Sequence, residues 1–213
     1  MQKNSKINEI NKIFLIFMIG SMIGYIVEMI VALVQKGHLE SRQGVLYGPL
    51  TPIYGVGIVT YYLCFRKIKT RDKKRIFLIS MLIGGIIEYL CSFLQEKIFG
   101  TVSWDYSNWI LNINGRTTLI HCTYWGLAGI LYILLIEPLI PKIENLIQKN
   151  SVKIITGGIA ILMVFNITIS SMAAIRQKER KNNIEPTSSM DAFLDENYPD
   201  EYMNKIFANK IER

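Results

Sequence analysis

Four stretches of this chain, residues 13–34, 76–95, 119–136 and 152–174, hold enough consecutive apolar side chains to cross a bilayer, and this limits the fold more than any other feature. A helix needs about 20 mainly apolar residues to span a hydrocarbon core of about 30 Å. Lipid offers no partner to exposed backbone N–H and C=O groups, so runs of this kind read as helices. A fifth stretch, 53–65, is short by itself and reaches spanning length if the entering segment 46–52 lies partly within the membrane. The expectation is an all-α, polytopic integral membrane protein of about five transmembrane helices. A cleaved leader is a poor reading of the first stretch, which is too long, contains Glu28 and is closed by no small-x-small site.

Charge sets the expected orientation. A formal net charge of +7 would suggest nucleic acid in a soluble chain, but here the cations bunch beside the apolar stretches, where they set topology. No nucleic-acid partner is expected. Arg66, Lys67, Lys69, Arg71, Lys73, Lys74 and Arg75 mark a cytoplasmic connection, which places the N-terminus in the cytoplasm and the charge-poor connections 35–52 and 97–118 outside. One segment conflicts with this scheme. Five crossings put the tail outside, yet it opens with Arg176, Lys178, Arg180 and Lys181, cations for which lipid headgroups are the simplest partners.

The apolar pattern also repeats. At an offset of 60, Met22-Ile23-Gly24-Tyr25-Ile26-Val27-Glu28 falls on Leu82-Ile83-Gly84-Gly85-Ile86-Ile87-Glu88, and Gln35 falls on Gln95. At an offset of 71, Gly44, Tyr54 and Gly55 fall on Gly115, Trp125 and Gly126. The change of offset calls for about eleven extra residues in the second outer connection, which 101–111 can supply. The expected architecture is a membrane core, 13–136, of two helix–loop–helix units (13–65 and 76–136), followed by a cytoplasmic connector 137–151, a fifth helix 152–175 and a polar tail 176–213. Each unit contains two crossings, so the copies share one orientation, as parallel repeats do.

Glu28 and Glu88 are the sharpest candidates for function. An ionisable group in hydrocarbon faces a partner, a polar interior or a water-filled cavity. At 1.5 Å per residue both lie roughly 20 Å from the cytoplasmic ends of their helices, within reach of the outer connections. Arg42, Arg116 and His121 are the expected partners that would offset their desolvation. The first outer connection, with Tyr47, Gly48, Pro49, Pro52 and Tyr54, cannot be regular helix and is expected to re-enter the membrane. The second brings Trp104, Asp105 and Arg116. Together Glu28, Glu88, Arg42, Arg116, Asp105, His121, Tyr47, Tyr54 and Trp104 form the candidate ligand-binding set.

Standard catalytic machinery is not legible. The sequence contains no GxxxxGK[ST], HExxH or GxSxG motif, and Cys64, Cys91 and Cys122 have no metal-ligand spacing, so neither a cofactor nor a metal is expected. The tail holds two short helix candidates, one capped by Ser188-x-x-Asp191 and one begun by Pro199-Asp200-Glu201, with Tyr202, Ile206 and Phe207 placed to meet the membrane surface.

At Gly24-x-x-x-Glu28, Arg42-x-Gly44, Gly48-Pro49-x-x-Pro52-Ile53-Tyr54-Gly55, Trp104-Asp105-Tyr106-Ser107 and Asn112-Ile113-Asn114-Gly115-Arg116, the chain resembles the ABC-transporter type IV family, the CmpB-like membrane proteins. The resemblance covers about residues 13–136 and leaves the fifth helix and tail outside. It implies a multi-pass cell-membrane permease working with an ATPase or another membrane subunit, but supplies no substrate and no functional residues. Glu137-Pro138-Leu139-Ile140-Pro141-Lys142 sits where a coupling segment would, without the EAA-type pattern of importer permeases. The leading expectation is a permease or transport-complex subunit for a small solute or ion, with oligomerisation open. The alternatives are a regulatory or scaffolding membrane protein and a membrane-embedded enzyme acting on lipid or envelope material.

Overall fold

The computed structural model describes residues 2–213, with side chains described from Lys6 onward. It is all-α apart from two short β ladders. Helix α1 (Gln2–Lys36) packs against α2 (Pro52–Ile68), and α3 (Lys73–Phe99) against α4 (Leu119–Leu131), so the first four helices form two hairpins. Beyond α4 come a π-turn (Tyr132–Ile136), a 3₁₀ turn (Glu137–Leu139) and α5 (Ile140–Leu146); α6 (Asn150–Lys181), α7 (Ser189–Asn197) and α8 (Asp200–Ile206) complete the helices. Among the described residues four helical segments are long and apolar enough to cross a membrane: Lys6–Lys36, Lys73–Phe99, Leu119–Leu146 and Asn150–Lys181. At 17 residues, α2 covers only about 25 Å.

Local chemistry sets the helix ends. Pro52 opens α2, where a missing N–H costs nothing, and Lys69 closes it in the left-handed region with its N–H donated to the Phe65 carbonyl. Asp72 caps α3 by accepting from the Lys74 amide at 2.9 Å, and Gly100, at φ 69°, ends it. Thr118 caps α4 through the His121 amide. The fourth apolar stretch does not stop at 136 as its composition suggested. Pro138 and Pro141 lack the N–H that a regular helix donates, so the chain passes through the π and 3₁₀ turns and continues as α5.

Glycine against aromatic is the packing rule within both hairpins. A Cβ on Gly24 would lie 2.3 Å from Tyr54 Cγ, and one on Gly84 would lie 2.2 Å from Trp125 Cγ. Gly55 meets Phe17, and Gly126 meets Phe77, in the same way. Tyr61 and Tyr132 meet edge to face at 6.0 Å where the hairpins join, and the Tyr61 hydroxyl donates to the Trp125 carbonyl at 2.9 Å. Ile16, Tyr61, Tyr62, Phe65, Ile76 and Trp125 belong to this buried core, which reaches Ile143 and Ile147. At one end of the bundle, beside Arg66–Arg75, Lys12 pairs with Glu144 at 2.8 Å and Arg71 with Glu137, fastening α5 to the helix ends.

The opposite end carries both long connections and the tail. Val45 and Leu50 pack on Met163, while Leu46 joins Ile169, Ala173, Leu194, Tyr198 and Met203. The first connection is irregular, as expected, and α6 covers it: the Leu46 amide donates to Ser170 Oγ at 2.8 Å and the Tyr47 amide to Asn166 Oδ1 at 3.1 Å. Both tail helices form where their caps predicted, with a reciprocal Ser188/Asp191 box on α7. Tyr202, Ile206 and Phe207 pack, half-buried, on the α6–tail cluster. One tail expectation is corrected. Arg176 and Arg180 are bound by Asp195, at 2.9 and 2.6 Å, Arg180 also reaches Asp200, and Lys181 pairs with Glu212. Three of the four cations that open the tail, Arg176, Arg180 and Lys181, are thus paired with acids of the tail itself.

Two outcomes test this packing. Gly84→Ala is expected to lower stability by about 1–3 kcal/mol, because the methyl group has no room beside Trp125. Gly157→Ala, where nothing lies within 4 Å, is expected to be neutral or to stabilise by up to about 1 kcal/mol. Unfolding in mixed micelles compares the two, and equal losses would contradict the packing. For the tail, the Arg176 guanidinium, followed by Arg180, holds the Asp195 carboxyl down to about 2, below the usual carboxylate value of about 3.9. A depressed carboxylate contributes fully above its unfolded value and loses that contribution as pH falls through its folded value. Tail docking should therefore hold above about pH 4 and weaken towards pH 2, and Asp195→Asn should expose the tail to protease already at neutral pH.

Candidate functional site

The two intramembrane carboxylates lie one turn beyond the glycine–aromatic contacts, on the side of the long connections. In the first hairpin, Gly24 lets Tyr54 lie flat on α1, and four residues on, one helical turn, Glu28 accepts a hydrogen bond from the Tyr54 hydroxyl. In the second, Gly84 admits Trp125, and Glu88 accepts from Thr117 Oγ1 at 2.5 Å and from the Tyr106 hydroxyl at 3.4 Å, with Trp125 close by. The rings of Tyr54 and Trp125 stack across the hairpins, centroids 5.5 Å apart. Glu88 is buried, whereas Glu28 is half-buried.

The second connection is built to deliver those donors. It folds as β1 (Thr101–Val102), a turn region, and the hairpin β2 (Asn112–Ile113) with β3 (Thr117–Thr118). Asn114 and Gly115, both at positive φ, make the tight turn, where Asn112 Oδ1 receives the Gly115 amide at 2.8 Å. The Tyr106 amide donates to the Gly115 carbonyl at 2.8 Å, and the Tyr106 ring stacks on His121 at 3.8 Å. Burial, reinforced by the nearby Glu88 and Glu28, pushes the Tyr106 hydroxyl well above its ordinary range, so it remains a donor.

The remaining candidates serve other partners. Arg42 does not reach the carboxylates as expected; it pairs with Glu40 at 2.7 Å. Burial alone would raise Glu40, but the hydrogen bond from Lys36 and the charge of Arg42 outweigh it and hold the carboxyl low. Arg116 binds Glu96 at 2.7 Å and Ser92 Oγ at 3.3 Å, with its guanidinium over the Phe93 and Tyr89 rings. Arg42 and Glu40 both lie in the first connection, and Arg116 reaches from the β2–β3 turn to Glu96 near the end of α3, where ion pairs are less costly than deeper in hydrocarbon. His121 bonds Thr118 Oγ1 at 2.7 Å and joins the site through Tyr106. Trp104 donates to the Arg116 carbonyl at 2.8 Å, and the Tyr47 hydroxyl meets that of Tyr198 at 2.7 Å. Asp105 is held low by the Ser107 hydroxyl and amide and lies 3.2 Å from Arg213.

The structure therefore draws Glu28, Glu88, Tyr54 and His121 into one centre and leaves Arg42, Arg116, Tyr47, Trp104 and Asp105 around it. Thr117, Tyr106 and Trp125 were not among the candidates. Trp125 had a signal, since it falls on Tyr54 at the repeat offset; Thr117 had none, because a single threonine beside an apolar stretch looks like a cap.

No curated protein and no solved structure is similar enough to match. The family model described as "Putative ABC-transporter type IV" matches residues 15–171, which takes the likeness beyond 136 and through most of α6. This match spans both hairpins, the two glutamates and the helix that covers the first connection: the chain belongs to the ABC-transporter type IV family.

Proposed function

We propose that this protein is a permease, or a subunit of a transport complex, for a small cationic solute or ion, with Glu28 and Glu88 as an outward-facing polar centre. Family membership and the apolar helices support a transport-related role. The observation that carries the finer reading is the shared aromatic centre of two carboxylates to which, among the described residues, no Lys or Arg side chain is paired. A charge in mid-membrane costs about 3 kcal/mol on insertion scales. Each hydrogen bond to a charged group recovers about 1.5–3 kcal/mol. Glu88, with Thr117 and Tyr106, is close to balance. Glu28, half-buried, has the single Tyr54 donor, which leaves it the freer of the two to take up a cation or a proton.

This reading counts α2, together with residues 46–51, as a fifth crossing. It takes the Arg66–Arg75 end as cytoplasmic, and the core as two parallel repeats about an axis along the membrane normal. The repeat is supported by contacts that correspond at the offsets of 60 and 71: Gly24 on Tyr54 with Gly84 on Trp125, Phe17 on Gly55 with Phe77 on Gly126, and Tyr61 against its own counterpart Tyr132. An ATPase or another membrane subunit is the partner that copurification in mild detergent should find.

Purified protein in vesicles, titrated with sodium, potassium, ammonium and choline, is expected to give a saturable change in tryptophan fluorescence for at least one of them, because Trp125 lies in the centre. Glu28→Gln should weaken that response at least tenfold, and Glu28→Gln with Glu88→Gln should abolish it while the protein stays inserted and helical. A response that survives in the double variant, or none to any probe in the wild type, overturns the reading.

A further inference from the structure

The tail is tied to the second connection at two places, and the donors to Glu88 hang between them. The first tie is a β ladder: β4 (Ile211–Glu212) runs antiparallel to β1, with Val102 opposite Ile211 and Thr101 opposite Glu212, and Asn209 Nδ2 donates to the Ser103 carbonyl at 3.1 Å. The second is the Arg213 guanidinium. It lies 3.2 Å from Asp105 Oδ1, 3.2 Å from Ser107 Oγ, 3.1 Å from the Asn114 carbonyl and 3.5 Å from Glu96 Oε2. It thus bridges the arm that carries Tyr106 to the Asn114–Gly115 turn that leads into Thr117. Lys210 anchors the same stretch to α6 through Gln177.

We propose that residues 209–213 act as a strap that holds the second connection shut over the Glu28–Glu88 centre, so that release of the strap opens the centre from the loop end. Charge explains why one side chain can do this. Asp105 and Glu96 flank the turn, and Arg116, the other cation nearby, is already bound to Glu96. Arg213 is the added charge that ties Asp105, on one arm, to Glu96 at the end of α3. Without it, the arm keeps the Trp104 bond to the Arg116 carbonyl, the Gln95–Ser103 and Asn112–Ser107 bonds, the Tyr106–Gly115 backbone bond, the Tyr106–His121 stack and the long Tyr106–Glu88 bond, but no charge pair between the arm and α3. The Asp105–Arg213 and Glu96–Arg213 contacts are partly exposed and therefore individually weak, as a contact that must open and close requires. The proposal rests on the reading of Glu28 and Glu88 as a ligand centre only for its consequence in transport; the opening itself is measured without any ligand.

Cys122 supplies the probe. Its Sγ lies 3.5 Å from Thr117 Oγ1 and against Gly85, beneath the connection, and it is half-buried. With Cys64 and Cys91 replaced by serine, the rate at which a small charged methanethiosulfonate modifies Cys122 in vesicles reports access from water. Arg213→Ala, and deletion of 209–213, are expected to raise that rate at least tenfold, with Arg213→Lys in between. In the locked counterpart, Val102→Cys with Ile211→Cys, the two thiols face each other across the ladder; oxidation should slow Cys122 labelling below that of the parent, and reduction should restore it. The locked variant keeps the test meaningful if the truncated protein folds poorly. Rates within twofold of the parent in Arg213→Ala, or unchanged labelling in the locked form, overturn the strap. A cation response that survives in the double glutamate variant while the strap still gates Cys122, or its loss there with Cys122 labelling that does not depend on the strap, separates failure of one proposal from failure of the other.

Discussion

The stacking of Tyr54 on Trp125 is possible only because two glycines let two aromatic side chains lie directly on neighbouring helices. Gly24 and Gly84 remove the Cβ atoms that would collide with those rings, and the rings then meet each other between the hairpins. The rest of the centre follows from this contact. Glu28 and Glu88 sit one turn further along, so the same rings that join the hairpins stand next to the carboxylates. Small residues commonly allow close helix approach in membranes, where packing takes over from the hydrophobic effect. In this chain they also fix where buried charge can be placed.

Much of this was legible in the sequence, for identifiable reasons. Apolar length gave the helices, and caps such as Ser188 with Asp191 gave the tail elements, because both depend on local chemistry. The correspondence of Gly24 with Gly84 and of Glu28 with Glu88 pointed to the centre. The partners of the carboxylates were not legible. Coulomb's law favoured the arginines, but Arg42 and Arg116 are taken by Glu40 and Glu96, and hydroxyl groups do the work at the carboxylates. Which of several carboxylates an arginine reaches depends on the path of its connection, which turns through left-handed Gly37 and Gly48 in the first and through Leu111, Asn114 and Gly115 in the second, and that path is a tertiary outcome.

The tail shows a related limit of charge counting. Topology rules count lysine and arginine near helix ends and give acidic residues little weight. Arg176 and Arg180 are not free: acids from α7 and the start of α8, Asp195 and Asp200, fold back on them. In the other basic cluster, among the described residues, Arg66, Arg71 and Arg75 are paired with Glu9, Glu137 and Asp72, while Lys67, Lys69, Lys73 and Lys74 form no ion pair.

The ladder between Thr101–Val102 and Ile211–Glu212 joins segments about 110 residues apart in the sequence. Ribosomes add roughly 5–20 residues per second, so several seconds separate emergence of the first strand from that of the second. Through that interval the four helices of the core and the loop above the glutamates already exist, while the segment that fastens the loop does not. Newly made protein therefore passes through a stage in which both helical hairpins have been made but the ladder between β1 and β4 has not.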